Sequence, residues 1–199
     1  MLSHYRKLNL VELARAETYL RPDIPLLSLD SPATLFMTDF LTVHPVVVCD
    51  SLNVDDALAT MKQSYVRLLL VHGHVDETFQ GIITASDING GKVLSYMSTN
   101  ELQHRSEVEV RHIMTARSDL HAFLYEDLQE ACIGDVISTI RNLGEQHVLV
   151  MEDSDCKHIV RGIYSTTDIA EALRIEFDVE PHAKTFFELE QSILHHQIA

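Results

Sequence analysis

Basic residues are scarce in this chain of 199 residues: 15 Lys and Arg stand against 30 Asp and Glu, a formal charge of −15. That balance argues against a surface built for nucleic acid or an anionic membrane, since both need clustered Lys and Arg. It also predicts repulsion of highly charged anions unless local basic groups offset the field. Cysteine is equally sparse. Cys49, Cys132 and Cys156 are odd in number, far apart and without a CxxC pair. They read as buried or idle thiols in a reducing cytosol rather than as a disulfide framework or a zinc site. No apolar run approaches the ~18 residues of a membrane span. The start, from Met1 to Lys7, has basic residues but no apolar stretch after them, so no secretory signal is read and a cytoplasmic location is expected. GxSxG, HExxH, P-loop and GxGxxG phrases are all missing, and an enzyme is not expected. His72-x-His74 and His195-His196 lack a third metal ligand at diagnostic spacing and read as surface histidines, with no metal expected.

What the chain does have is one phrase written twice. Gly81-Ile82-Ile83-Thr84-Ala85-Ser86-Asp87-Ile88 returns as Gly162-Ile163-Tyr164-Ser165-Thr166-Thr167-Asp168-Ile169. Glycine, hydroxyl residue and aspartate are each displaced by 81 residues. Each copy follows a strand-like run and opens a helix-like run. A period this long implies a duplicated supersecondary unit rather than a short solenoid repeat.

The elements before the phrase repeat too. Val46 to Cys49 is a β-branched apolar run and predicts a strand. Asn53 is a helix cap, followed by Val54, Ala57, Leu58 and Met61 on one face. Val66 to Val71 predicts a strand buried on both faces, and Phe79 to Ile83 the next. After Asp87 a helix continues through Val93, Leu94 and Met97, with Gly90-Gly91 bending or breaking it. In the second copy the expected elements are a strand at Leu120 to Tyr125, a helix from Glu130 to Leu143 ended by Gly144, and a strand from His147 to Met151. A turn at Glu152 to Asp155, a strand from Ile159 to Tyr164 and a helix from Ser165 to Leu173 follow. Here the offset is 79, pairing Met61 with Ile140, Leu70 with Leu149 and Val71 with Val150. The chain divides into an N-terminal helix and loop (1–33), a first unit (34–97), a polar linker (98–109), a second unit (110–175) and a C-terminal extension (176–199). Leu26, Leu27 and Leu35 are expected on the core. Residues 183–196 read as an amphipathic helix, packed on its own domain or on a partner.

Two strand–helix–strand–strand–helix units, each closing on Gly-apolar-apolar-Ser/Thr-x-x-Asp-apolar, resemble a tandem pair of CBS (cystathionine-β-synthase-type) domains over roughly residues 34–175. Met37-Thr38 and Met114-Thr115 near the unit starts add to the likeness. The resemblance implies an α/β fold (α+β): two pseudo-symmetric β-α-β-β-α units in one stand-alone regulatory module with helical extensions at both ends. It implies clefts between the units for an adenine-containing ligand such as AMP, ADP, ATP or S-adenosylmethionine, with no other cofactor. It implies a homodimer acting on an unknown protein partner. Carried onto this chain, the phrase assigns Asp87 and Asp168 to ribose hydroxyls and Thr84 and Ser165 to the phosphate.

The chemistry of these residues agrees. A carboxylate accepts hydrogen bonds from both hydroxyls of a ribose. A helix start offers free amides and partial positive charge to a phosphate. Ile83, Tyr164 and Val47 are expected to sandwich the adenine. Arg67, Arg111, His147 and Arg161 are candidate cations, because Ala85-Ser86 and Thr166-Thr167 inside the phrases carry no charge. With so little positive charge, AMP is favoured over ATP. Thr84-x-x-Asp87 and Ser165-x-x-Asp168 also have capping-box spacing, which needs no ligand. The alternative is thus a ligand-free dimeric scaffold working by protein contact.

Overall fold

Strands form where apolar residues alternate between two interiors. The computed structural model describes residues 6, 8–10, 27–154 and 157–173. The stretch expected as an N-terminal helix is described only at 6 and 8–10, and Leu26 and the amphipathic stretch 183–196 lie outside the described residues. The first unit runs β1 (Thr38–Asp39), β2 (Val47–Cys49), α1 (Val54–Gln63), β3 (Leu68–His72), β4 (Phe79–Thr84), α2 (Ala85–Asn89) and α3 (Gly91–Thr99). The second runs β5 (Thr115–Ala116), β6 (Ala122–Leu124), α4 (Tyr125–Leu128), α5 (Ile133–Leu143), β7 (His147–Ser154), β8 (Lys157–Ser165) and α6 (Thr166–Leu173).

Each unit has a four-stranded sheet, but neither sheet is made by one unit alone. Their orders are β2-β3-β4-β5 and β1-β8-β7-β6. The first short strand of each half therefore crosses to the other half. Thr38 and Asp39 pair with Ile163 and Gly162, while Thr115 and Ala116 pair with Ile82 and Gly81. This exchange explains the glycine that opens each phrase. A Cβ on Gly81 would stand 2.1 Å from the Thr115 carbonyl oxygen, and one on Gly162 would stand 2.6 Å from that of Thr38. Only a bare Cα lets the crossing backbone approach.

The alternation along β3, β4, β7 and β8 sorts residues into three cores. Leu69, Val71 and Ile83 point to the first unit's helices, with Val54, Ala57 and Met61 of α1. Val148, Val150 and Tyr164 point to the second unit's helices, with Val136, Ile137 and Ile140 of α5. The residues between them, Leu70, Ile82, Leu149 and Ile163, meet in a third cluster that joins the two units. A side-chain period of two makes both faces of these strands interior, hence their continuous apolar runs.

Helix boundaries follow local chemistry. The Asn53 side chain accepts from the amides of Asp55 and Asp56 at 3.1 and 2.9 Å. Gly144 ends α5 at φ 68°. Gly90 separates α2 from α3, the break expected there.

Several expectations are corrected. The second hairpin is longer than read, with β7 reaching Ser154 and β8 starting at Lys157, so Glu152 and Asp153 pair in the ladder rather than turn. Tyr125–Leu128 forms a separate short helix, because its acidic residues stay in solvent while Leu128 is buried. Leu35 is exposed rather than on the core.

Candidate functional site

The crossing of β1 opens a cleft between the units. It has a volume of about 510 Å³, within the usual range for small-molecule sites. Three stretches build it. Thr38, Phe40 and the segment Val43–Val46 form one wall; Tyr65–Leu68 and Leu70 the second; Ser165, Thr167 and Asp168 the third. Thr84, Ala85 and Ser86 of the first phrase close it beside Gln146, His147 and Ile163.

The two phrases, similar in sequence, behave differently. In the first, Asp87 folds back on its own helix start. One carboxylate oxygen accepts from the Thr84 amide at 2.9 Å and the Thr84 hydroxyl at 2.7 Å. The other accepts from the Lys92 ammonium at 2.6 Å. The Thr84 hydroxyl in turn accepts from the Asp87 amide at 3.1 Å, closing a full capping box. Asp87 is not among the residues lining the cleft. In the second phrase the Asp168 amide reaches the Ser165 hydroxyl only at 3.4 Å. The Asp168 carboxylate lines the cleft, is 53% exposed, and meets Arg67 at 3.9 Å. Its oxygens are open to a ligand; those of Asp87 are occupied.

His147 lies where both phrases converge. Burial pushes its pKa below the ordinary value. The carboxylates of Asp168 and Asp87 oppose that shift, and Arg67 adds to it. The ring is thus held toward the neutral form.

The cleft does not match every expected residue. Thr84, Ser165, Asp168, Arg67 and His147 line it. Ile83 and Tyr164 do not: they are 0% and 1% exposed and belong to the helix-side cores. Their neighbour Ile163 faces the cleft instead, because adjacent strand residues point to opposite faces. The Tyr164 hydroxyl donates to the Ala33 carbonyl at 2.8 Å. Val47 is also displaced from the cleft, and Val46 takes its place. Of the other candidate cations, Arg111 pairs with Glu109. Arg161 binds Asp39 and Glu152 and lies over the Tyr125 ring, 3.7 Å from its centroid. It fastens β1 to the second sheet from outside the cleft.

Thr38, Phe40, His44 and Tyr65 were missed by sequence reasoning. Thr38 belongs to the repeated Met-Thr pair, but that repeat does not show that β1 crosses over.

The halves also differ in their walls. Equivalent backbone bonds, Leu70 amide to Val46 carbonyl and Leu149 amide to His121 carbonyl, fix the correspondence. Val46 thus corresponds to His121, and Val66, by the 79-residue offset, to Glu145. Two apolar cleft walls are replaced by a His121–Glu145 pair 2.6 Å apart.

The molecule is therefore a pseudo-symmetric pair of α/β units around a cleft, with one open carboxylate and one already bonded. Residues 37–90 match the CBS domain family, so the first unit is a CBS domain, and the second repeats its fold. Solved structures share that architecture. An uncharacterized conserved protein from Pyrococcus horikoshii is 22% identical, covering 76% of this chain and 98% of its own, with TM-score 0.52. The CBS domain of the bacterial CNNM/CorC family Mg2+ transporter, in complex with the inhibitor IGN95a, is 16% identical over 75% of this chain and 80% of its own, with TM-score 0.51. The same domain in complex with ATP covers 74% and 90% at 16% identity, with TM-score 0.50. No curated protein matches the chain.

Proposed function

We propose that this chain is a regulatory module that binds an adenine nucleotide in the cleft between its two units, with AMP favoured. The observation that carries the proposal is the open Asp168 carboxylate, set in a cleft of nucleotide size beside a helix start whose cap bond, Asp168 amide to Ser165 hydroxyl, is long at 3.4 Å. Asp168 takes the ribose hydroxyls. Ser165, Thr167 and the first turn of α6 take the phosphate, aided by the macrodipole. Val46 and Val66 flank the base. Among the described lining residues Arg67 is the only Arg or Lys, and His147 adds charge when protonated. One phosphate is easier to compensate there than three, which supports AMP over ATP. Because the cleft walls come from both units, a bound ligand favours one arrangement of the halves over another, the requirement for passing a signal to a protein partner. A homodimer is part of the same proposal.

Isothermal titration with AMP, ADP, ATP and S-adenosylmethionine tests this reading. Saturable AMP binding that Asp168→Ala abolishes supports it. No heat with any of the four, and no change in melting temperature, would refute it and leave a ligand-free scaffold. Tighter ATP than AMP binding without magnesium would overturn the AMP preference alone.

A further inference from the structure

The cleft wall that carries Phe40, Val43 and His44 hangs from a strand of two residues. Burial does little to fix the turn that follows, since Leu41 and Val43 are 75% and 52% exposed. Its order comes from Asp39. One carboxylate oxygen accepts from the Leu41 amide at 2.9 Å, and the Asp39 carbonyl accepts from the amides of Thr42 and Val43, both at 3.0 Å. The other carboxylate oxygen accepts from the Arg161 guanidinium at 3.1 Å. Arg161 is itself fixed. It also donates to Glu152 at 2.7 Å, lies over the Tyr125 ring, and is 13% exposed. A planar guanidinium held in this way is a rigid anchor for a carboxylate. The other half has different residues at these places. Ala116 stands where Asp39 does, opposite the phrase glycine, and Gln80 stands where Arg161 does, just before that glycine. The turn after Ala116, Arg117–Asp119, starts without a side-chain cap. The clamp thus stands on the side of the open cleft, and its counterpart residues cannot form it.

We infer that Asp39 and Arg161 are positioning residues: from outside the cleft, and without touching the ligand, they hold the turn from Phe40 to His44 in the form the ligand meets. The backbone ladder does not do this alone. It fixes β1 at Thr38 and Asp39 and ends with the Phe40 amide on the Arg161 carbonyl at 2.8 Å. The Asp39 carboxylate is the bridge from that ladder to the turn beyond it. A ligand that meets an ordered wall does not bear the entropy of ordering it. Where the wall is formed in only a fraction of the molecules, apparent affinity falls by that fraction. The ligand in this inference is that of the adenine-nucleotide reading, on which it rests.

The test uses the full chain and the variants Asp39→Asn, Asp39→Ala and Glu152→Gln. Asparagine keeps an oxygen for the Leu41 amide but gives up the ion pair with Arg161; alanine gives up both. Glu152→Gln weakens the other bond of Arg161 and leaves Asp39 in place, so it shows what a loss of stability alone does. Isothermal titration with AMP should give roughly tenfold weaker binding in Asp39→Ala, the result of a wall formed in about one molecule in ten. Asp39→Asn should lose less, and Glu152→Gln should bind like the wild type. Hydrogen exchange of the ligand-free proteins, read by NMR as protection factors, supplies a second readout. Protection at Leu41, Thr42 and Val43 should drop in both Asp39 variants and stay unchanged in Glu152→Gln. Wild-type affinity in Asp39→Ala, or an equal loss in Asp39→Ala and Glu152→Gln, overturns the positioning role. Asp39→Asn equal to the wild type in both readouts overturns the part assigned to Arg161. A wild type that binds no AMP overturns the nucleotide reading itself; protection then decides the clamp, and an unchanged value in Asp39→Ala overturns it.

Discussion

Asp87 and Asp168 occupy the same place in the repeated phrase, and their removal should have opposite consequences. Asp87 is 12% exposed and accepts three hydrogen bonds, from the Thr84 amide, the Thr84 hydroxyl and Lys92. Replacing it by alanine leaves the Thr84 amide without its partner at the start of α2. Loss of a cap costs about 0.5–2 kcal/mol. Loss of hydrogen bonds to a charged group adds to it, so a total of about 2–3 kcal/mol is expected. At about 2–4 °C per kcal/mol for a chain of this size, the melting temperature of Asp87→Ala should fall by roughly 4–12 °C. Asp168 is 53% exposed and its ion-pair partner Arg67 is 71% exposed at 3.9 Å, so screening leaves that pair about 0–0.5 kcal/mol. Asp168→Ala should melt within about 2 °C of the wild type. Ligand reverses the order. AMP at ~100 times its dissociation constant adds about 2.7 kcal/mol to a native state that binds it. That shift should appear in the wild type and in Asp87→Ala and vanish in Asp168→Ala. Differential scanning calorimetry of three proteins with and without AMP is sufficient. Equal destabilisation by both substitutions, with equal ligand response, would refute the assignment of one aspartate to the fold and the other to the ligand.

Further outcomes follow from the same geometry. Gly162→Ala should displace β1, since the new methyl meets the Thr38 carbonyl at 2.6 Å; stability should drop by about 1–3 kcal/mol in urea unfolding and AMP affinity should fall with Thr38 and Phe40 out of place. Tyr164→Phe removes one of two hydrogen bonds to the Ala33 carbonyl, which keeps the Phe36 amide at 3.1 Å, and urea unfolding should show a loss of about 0.5–1.5 kcal/mol with AMP affinity unchanged. His147 has a folded pKa below its ordinary value, so its contribution is fully present above about pH 6.5 and is lost as pH falls through the lowered value. His147→Gln should flatten the stability profile in that window, and a phosphate beside the ring should raise its pKa, so AMP binding takes up a proton; a histidine NMR titration with and without AMP checks both. Titration should give roughly one nucleotide per chain, because the His121–Glu145 pair replaces the apolar walls Val46 and Val66 in the other half. Two equal sites would contradict this.

Much of the fold was legible beforehand because duplication supplies its own control. Buried Met61 and Ile140, or Leu70 and Leu149, recur at one spacing, and chance does not place the same apolar face twice. Capping at Asn53, the stop at Gly144 and the break at Gly90 depend on residues within a few positions of one another, so local sequence was enough to determine them. The crossing of β1 and β5 was not legible, because two-residue strands carry no periodicity and their partners lie more than 30 residues away. That crossing explains the phrase glycines and builds the cleft wall. Which side of a strand faces the cleft was decided in three dimensions as well. Ile83 and Tyr164 were expected there, but strand alternation turns them to the cores and turns Ile163 to the cleft. The two roles of one sequence phrase were separated last. The letters Thr84-x-x-Asp87 and Ser165-x-x-Asp168 allow either a cap or an open carboxylate. Lys92, five residues beyond Asp87, holds the first aspartate on its helix, while Asp168 stands beside a distant Arg67 and stays open. Local chemistry is written in order along the chain; the choice between a bond made at home and one left for a ligand belongs to the neighbours that folding brings in.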